Sequence, residues 1–243
     1  MKRIALTLLA ALTLFFGMAQ STRNLSSFSE VTAQEGIDVF LTKGSSESAR
    51  IEADGISVDK VLTDVSGGTL KIHLEGDNHR NVDVKVYVTF VDLSALKASS
   101  AASIRVEGMV QAKGDFEISC SSAGDIKVAV KADQVEVDAS SSGDVDLEVY
   151  ADDIDIEVSS AGEVNISGEV RNLDGSASSS GDIDGYDLVC QDADLRASSG
   201  ASIKVTVNGE LTARASSGAS IRYQGSPKNT NSDSSSGGSV KRS

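Results

Sequence analysis

A short pattern written eight times limits the folds open to this chain more than any other feature. Aligned on a serine pair, it reads "LKASSAASIRV" (96–106), "ISCSSAGDIKV" (118–128), "VDASSSGDVDL" (137–147) and "IEVSSAGEVNI" (156–166). It continues as "SASSSGDIDG" (176–185), "LRASSGASIKV" (195–205) and "ARASSGASIRY" (213–223), and a degenerate copy, "SDSSSGGSVKR", occupies 232–242. The serine pairs begin near 99, 121, 140, 159, 179, 198, 216 and 235, so the period stays close to 19. Repeats of this length mark stacked architectures.

Each unit contains two alternating stretches. Val135, Val137 and Ala139 alternate with acids before the serines, and Val145, Leu147 and Val149 do so after the glycine. Period-2 alternation with β-branched residues predicts half-buried strands. A strand–turn–strand–turn unit cannot bury its own apolar side, but stacked units bury it for one another. The expected fold is all-β: a parallel β-solenoid, a flattened right-handed β-helix of ~19-residue coils. Ile104, Ile126, Val145, Val164, Ile183, Ile203 and Ile221 form one expected inward column. Ala98, Cys120, Ala139, Val158, Ala197 and Ala215 form another. The second corner of each unit is polar, as in "KADQ" (131–134), "ADD" (151–153) and "NGE" (208–210).

Four segments are expected. Residues 1–19 read as a signal peptide: Lys2 and Arg3 precede an apolar run from Ile4 to Phe16, and Gly17 and Ala19 supply small residues for cleavage after Ala19. Residues 20–95 lack the serine pattern but alternate like strands, and are expected to cap the solenoid or form irregular first coils. "SGG" (66–68) reads there as a hairpin turn. Residues 96–224 are the repeat, and 225–243 form a polar tail or a final coil.

The formal charge of −14 becomes −16 once Lys2 and Arg3 leave. Such an acidic chain repels phosphate backbones, so nucleic acid is not an expected partner. No second long apolar run follows, so no membrane span is expected after cleavage. Aromatics are few and Trp is absent, which argues against a carbohydrate site built on aromatic platforms. Cys120 and Cys190 would lie several coils apart, too far for a disulfide.

No residue is assigned a catalytic, cofactor-binding or metal-binding role. His73 and His79 are the only histidines; the first belongs to a strand, the second to the turn "GDNHRN", and neither accompanies a distinctive serine, which leaves a hydrolytic triad without its base. Asp125, Asp144, Glu163 and Asp182 share one repeat position and should stack. Calcium could bridge such a ladder, though Ser103, Ser202 and Ser220 interrupt it in flanking coils. A solvated acidic corner is the simpler reading, and a calcium-stabilised solenoid the alternative. Carboxylate pairs such as Asp144 with Asp146 or Asp152 with Asp153 raise a polysaccharide-active enzyme as a second alternative. The short corners leave little to wall a cleft, except at "GYDLVCQDAD" (185–194), which could bulge near Tyr186. Arg105, Lys127, Asp146, Asn165, Asp184, Lys204 and Arg222 form an outward column of mixed charge, a solvated face or a docking strip.

"RNLSSFSEVTAQEGIDVFLTKGSSESARIEADG" (23–55), "GGTLKIHL" (67–74) and "DVKVYVTFVDLSALKASSAASIRVEG" (83–108) resemble the head GIN domain family. These exported bacterial proteins of unknown function carry the label putative auto-transporter adhesin. The opening "R-x-L-x-x-F", then "G-I-D-V-x-L", then the serine–glycine coils carry the likeness. The resemblance implies a β-helical fold, a cell-envelope location and an adhesin-like role, and supplies no catalytic residues. The expectation is an exported, non-enzymatic envelope protein, periplasmic, outer-membrane-associated or extracellular. It would bind an envelope or host glycan or protein, or serve as a passive structural component.

Overall fold

The computed structural model describes residues 19–76 and 79–243. The expected signal peptide falls almost wholly outside the described residues. The stacked coils expected from the repeat are present, and parallel strands form two faces. The pre-serine face holds β8 (Ala95–Ala98), β10 (Phe116–Cys120) and β12 (Gln134–Ala139). It continues through the C-terminal halves of β13 (Asp144–Val158), β14 (Glu163–Ala177) and β15 (Asp182–Ala197), then β17 (Glu210–Ala215) and β19 (Asn229–Ser234). The post-serine face holds β9 (Ser103–Gln111), β11 (Asp125–Lys131), the N-terminal halves of β13 to β15, β16 (Ser202–Val207), β18 (Ser220–Gly225) and β20 (Ser239–Arg242). Every pairing between these coils is parallel.

The inward columns fall into register. Ile104, Ile126, Val145, Val164, Ile183, Ile203 and Ile221 pair coil by coil and are buried. The narrow column of Ala98, Cys120, Ala139, Val158, Ala197 and Ala215 also contains Ala177. Branched aliphatics fill the broad middle of each coil and small residues fill its tapered end, as close packing requires. The second corner differs from a turn. In β13, β14 and β15 the ladder runs on through the bend, with Tyr150 opposite Glu169 and Ala151 opposite Val170. A gentle bend keeps the inter-coil hydrogen bonds, so no glycine or proline is needed there.

The serine corner is the sharper one. Its two central residues take left-handed backbone conformations: Ser122 and Ala123 have φ of 51° and 59°, and Ser141 and Ser142 have 49° and 61°. The fourth residue donates to the first, as in Gly124 N–H to Ser121 O at 2.9 Å, which closes a turn with positive φ at both centres. L-residues resist this region. A hydrogen-bond ladder up the corner holds it: Ala101 N–H to Ser122 O (3.0 Å), Ala123 N–H to Ser141 O (3.1 Å), Ala161 N–H to Ser179 O (3.1 Å).

The glycine therefore does something other than ease the turn. Gly124, Gly143, Gly162 and Gly181 lie one residue past the left-handed pair, and the structure gives them no positive φ. They are small because the preceding coil passes beneath them. A Cβ on Gly124 would stand 2.8 Å from Ala98 O, and one on Gly181 would stand 2.9 Å from Val158 O. In "SSGAS" the glycine has moved back one place: Gly200 and Gly218 have φ of 75° and 76°. There Ala201 and Ala219 fill the buried position that glycine holds in the other coils.

The N-terminal region contributes two coils in an order the linear sequence hides. β2 (Glu30–Ala33) and β3 (Asp38–Lys43) stack directly on β8 and β9. Between them Glu35 and Gly36, with φ of 64° and 69°, form the same kind of corner without serine. The chain then descends: β6 (Thr69–Leu74) and β7 (Asp83–Phe90) pair beneath β2 and β3. The first coil of the chain is thus sandwiched between the second and the third. Antiparallel strands close this end. β4 (Ser48–Asp54) lies on β7, β1 (Ala19–Asn24) lies on β4, and β5 (Val61–Ser66) forms the expected hairpin with β6. Arg23 fastens the cap by donating to Val61 O (2.6 Å), Val58 O (2.9 Å) and Thr63 Oγ1 (3.1 Å). Phe28 is buried in the core, so the "R-x-L-x-x-F" opening is a clasp and an anchor. At the other end β19 and β20 form a last, serine-rich coil, with β19 exposed throughout.

Parallel stacking also aligns charge. Asp125, Asp144, Glu163 and Asp182 occupy adjacent rungs. A second acidic column, not foreseen from the sequence, runs up the pre-serine face through Glu117, Glu136, Asp155, Asp174 and Asp194. Lys97 pairs with Glu117 at 2.7 Å at its lower end, and Arg196 bridges Asp174 (3.1 Å) and Asp194 (2.9 Å) at its upper end. Partial burial, then Glu163, Asp146 and Asp125, hold the Asp144 carboxyl above its ordinary value of 3.8.

Two measurements follow from this packing. Gly143→Ala would push a Cβ into the Cys120 carbonyl, an overpacking cost of about 1–3 kcal/mol that lowers Tm by roughly 3–10 °C. Gly218→Ala meets nothing within 4 Å and takes a corner position that Ala101, Ala123 and Ala161 already fill; its Tm should fall by less than half as much. Equal losses would refute the separate roles. A raised carboxyl pKa makes the native state bind its proton first, so the penalty from Asp144 is present at neutral pH. It is relieved as the pH falls through the raised value towards 3.8. Asp144→Asn should therefore melt about 1–3 °C higher than the parent at pH 7, with the gap closing near pH 4. A lower Tm for the variant at pH 7 would contradict this account.

Candidate functional site

The post-serine face is even except at two bulges. Between Arg105 and Met109, β9 carries three residues, Val106 to Gly108, where β11 carries Val128 alone. Gly108 has a φ of 74°, which lets the strand swing outward. Between Gly185 and Val189, β15 carries Tyr186 to Leu188 opposite no residue of β16. This is the bulge expected near Tyr186. Thr206 Oγ1 donates to Tyr186 O (2.7 Å), and Tyr186 Oη shares a hydrogen bond with Ser243 Oγ (2.6 Å). The lower bulge was missed from the sequence, although its signal is present: the serine pairs at 99 and 121 are spaced wider than the rest.

The two bulges stand four coil steps apart, from β9 to β15, which is about 19 Å at ~4.8 Å per step. Between them lies an open bay of about 1030 Å³, with Arg105 and Met109 on the lower wall and Tyr186 and Asp187 on the upper. Lys127, Asp146, Asn165 and Asp184 project from its floor. The expected outward column from Arg105 to Arg222 is a single line of rungs, and its middle is this floor.

Its charges are matched to one another. Lys127 pairs with Asp146 at 3.1 Å, and Lys204 with Asp184 at 2.7 Å. The hydrogen bond to Asp184 raises the Lys204 pKa. Arg105 bonds Asp125 (3.1 Å) and Ser103 Oγ (2.9 Å), and that hydroxyl donates to Asp38 Oδ1 (2.6 Å). Asn165 Nδ2 donates to Glu163 (3.2 Å). Met109 is 37% exposed, one of the large apolar side chains left open to solvent.

The same column continues downward into the cap. Phe40 lies beside Arg105, Tyr87 beside Phe40, and Arg50 beside Tyr87. The two rings stack at 5.1 Å, and the Arg50 guanidinium sits 3.9 Å from the Tyr87 centroid. Repeat alignment could not find this stack, because its members come from coils that are adjacent in space and out of order in sequence.

The other residues weighed from the sequence lie apart from the bay. His73 faces outward on β6 with Nε2 3.3 Å from Asp64, and His79 Nε2 is 3.1 Å from Glu75 O. Asp152 and Asp153 sit on the second bend, held by Arg171 (3.3 Å) and Asn172 (2.7 Å). Cys120 and Cys190 are buried free thiols, and burial pushes their pKa values up to about 11 and about 12. The stacked acids lie in single file, one on each rung. Among the described residues, no group of three or more His, Cys, Asp and Glu side chains converges on a point where a metal ion could sit.

Among the described residues no helix is long and apolar enough to cross a membrane. No curated protein sequence matches the chain. Several solved structures share the fold, among them three from Parabacteroides. One is called a putative adhesin, from Parabacteroides merdae, with a TM-score of 0.88, 17% identity, and coverage of 94% of this chain and 97% of that one. Another putative adhesin, from Parabacteroides distasonis, has a TM-score of 0.84, 18% identity, and coverage of 93% and 97%. A third, from the same species, is called a putative lipid binding protein, with a TM-score of 0.81, 22% identity, and coverage of 93% and 97%. The family model described as "putative auto-transporter adhesin, head GIN domain" matches twice, over residues 27–148 and 136–227, as a stack of like coils allows. The chain belongs to the head GIN domain family of putative auto-transporter adhesins.

Proposed function

We propose that this protein is an exported, envelope-located binding module with an adhesin-like, non-enzymatic role, and that the bay on the post-serine face is its contact surface. The observation that carries the reading is the pair of bulges. They interrupt an otherwise even face and wall a hollow, of a size typical for ligand sites. Solenoids present such broad, rigid faces to partners. The floor carboxylates Asp146 and Asp184 are tied to lysines, and both histidines lie in the cap region, which favours holding a ligand over cleaving one. A floor of charged and amide side chains suits a polar ligand better than an acyl chain. Export is supported by the basic start, the apolar run to Phe16, and the small residues Gly17 and Ala19 that follow it.

Produced with residues 1–19 in a Gram-negative bacterium, the protein should be recovered from the periplasm or beyond with Gln20 as its first residue. Recovery of the uncleaved chain from the cytoplasm would reject export. Immobilised protein should retain envelope or host-surface material, and reversing Lys127 and Lys204 to Glu together should weaken retention at least about tenfold, with the β-sheet circular dichroism unchanged at the assay temperature and Tm lowered by about 2–6 °C through the new like-charge neighbours. Retention unaffected by both reversals would move the contact surface elsewhere.

A further inference from the structure

We infer that the ligand of this bay is a short stretch of uncharged glycan lying along the solenoid axis; the inference rests on the binding role proposed above. The floor side chains Lys127, Asp146, Asn165 and Asp184 stand one per coil. They repeat at ~4.8 Å, about the length of one hexose in an extended chain. They offer donors and acceptors in turn, which is the chemistry that reads sugar hydroxyls. The two walls limit the run to about four such steps.

Charge separates the candidates. The bay is lined by two more acids than bases, since Glu148 and Asp187 add to the matched pairs, so an anionic glycan or phosphate would meet repulsion. A peptide would be held best by adding a strand to a free edge. The floor strands β11, β13 and β14 instead have both edges already paired, and leave only side chains for recognition. Met109, exposed on the lower wall, gives an apolar contact for a sugar C–H face. This site is polar, as the scarcity of aromatics requires, with Tyr186 as a wall and no stacked platform on the floor.

The test is an array of linear neutral and acidic glycans probed with the protein. It is followed by calorimetric titration with the bound neutral glycan in lengths of two to six units. Binding should be confined to neutral glycans, strengthen with each unit to about four, and then level off. Lys127→Ala and Asn165→Ala should each weaken it about tenfold, and Lys71→Ala, on the opposite face, should leave it unchanged. Envelope retention that persists with acidic glycans bound alone, or that protease treatment of the retained material abolishes, would overturn the glycan and leave the binding role standing. Loss of all retention would overturn both.

Discussion

The structure depends on a backbone ladder that does not stop at the serine corner. A parallel solenoid must turn sharply once per coil and still pair the residues on either side of the turn with the coils above and below. Two successive left-handed residues make that turn, and their inter-coil hydrogen bonds, Ala123 N–H to Ser141 O among them, hold a conformation L-residues otherwise avoid. Small side chains permit it. Serine and alanine bring little bulk to the bend, and the next residue must be glycine wherever the lower coil passes close beneath.

The same register that aligns hydrophobic columns aligns everything else. Identical repeat positions stack at ~4.8 Å, so an acid chosen once becomes a column of acids. The molecule bears this in two ways. Basic residues bound the pre-serine column at Lys97 and Arg196, and lysines interleave with acids on the post-serine face at Lys127 and Lys204. What remains is an acidic rod with one face where charges are matched and where the sheet is broken by bulges. A regular solenoid offers a ligand no shelter; only a departure from the period can make a wall.

Much of the coil was legible in residue spacing. Alternation placed Ile126 and Val145 inside and Lys127 and Asp146 outside, and the small column of Ala98 and Cys120 followed from their shared repeat position. The extra residues near Tyr186 were legible as a bulge. Those at Val106 to Gly108 were visible as a longer interval, but nothing in the interval says that its residues face the same hollow four coils away. In residue order alone "SSAGD" and "SSGAS" look like one motif with one turn glycine. Their glycines answer different demands, one steric and one conformational, and only backbone angles and the neighbouring coil distinguish them.

Length, period and alternation in the sequence determined that the chain is a β-solenoid, which residues face inward, and that acids would stack. Those are local or repeating properties, and each is set by a pattern within one coil. Tertiary structure decided the order of the first three coils, the antiparallel closure by β1, β4 and β5, the Arg50–Tyr87–Phe40 stack and the bay. Each of these depends on which coil lies against which, and a chain that descends before it climbs does not write that order in its sequence.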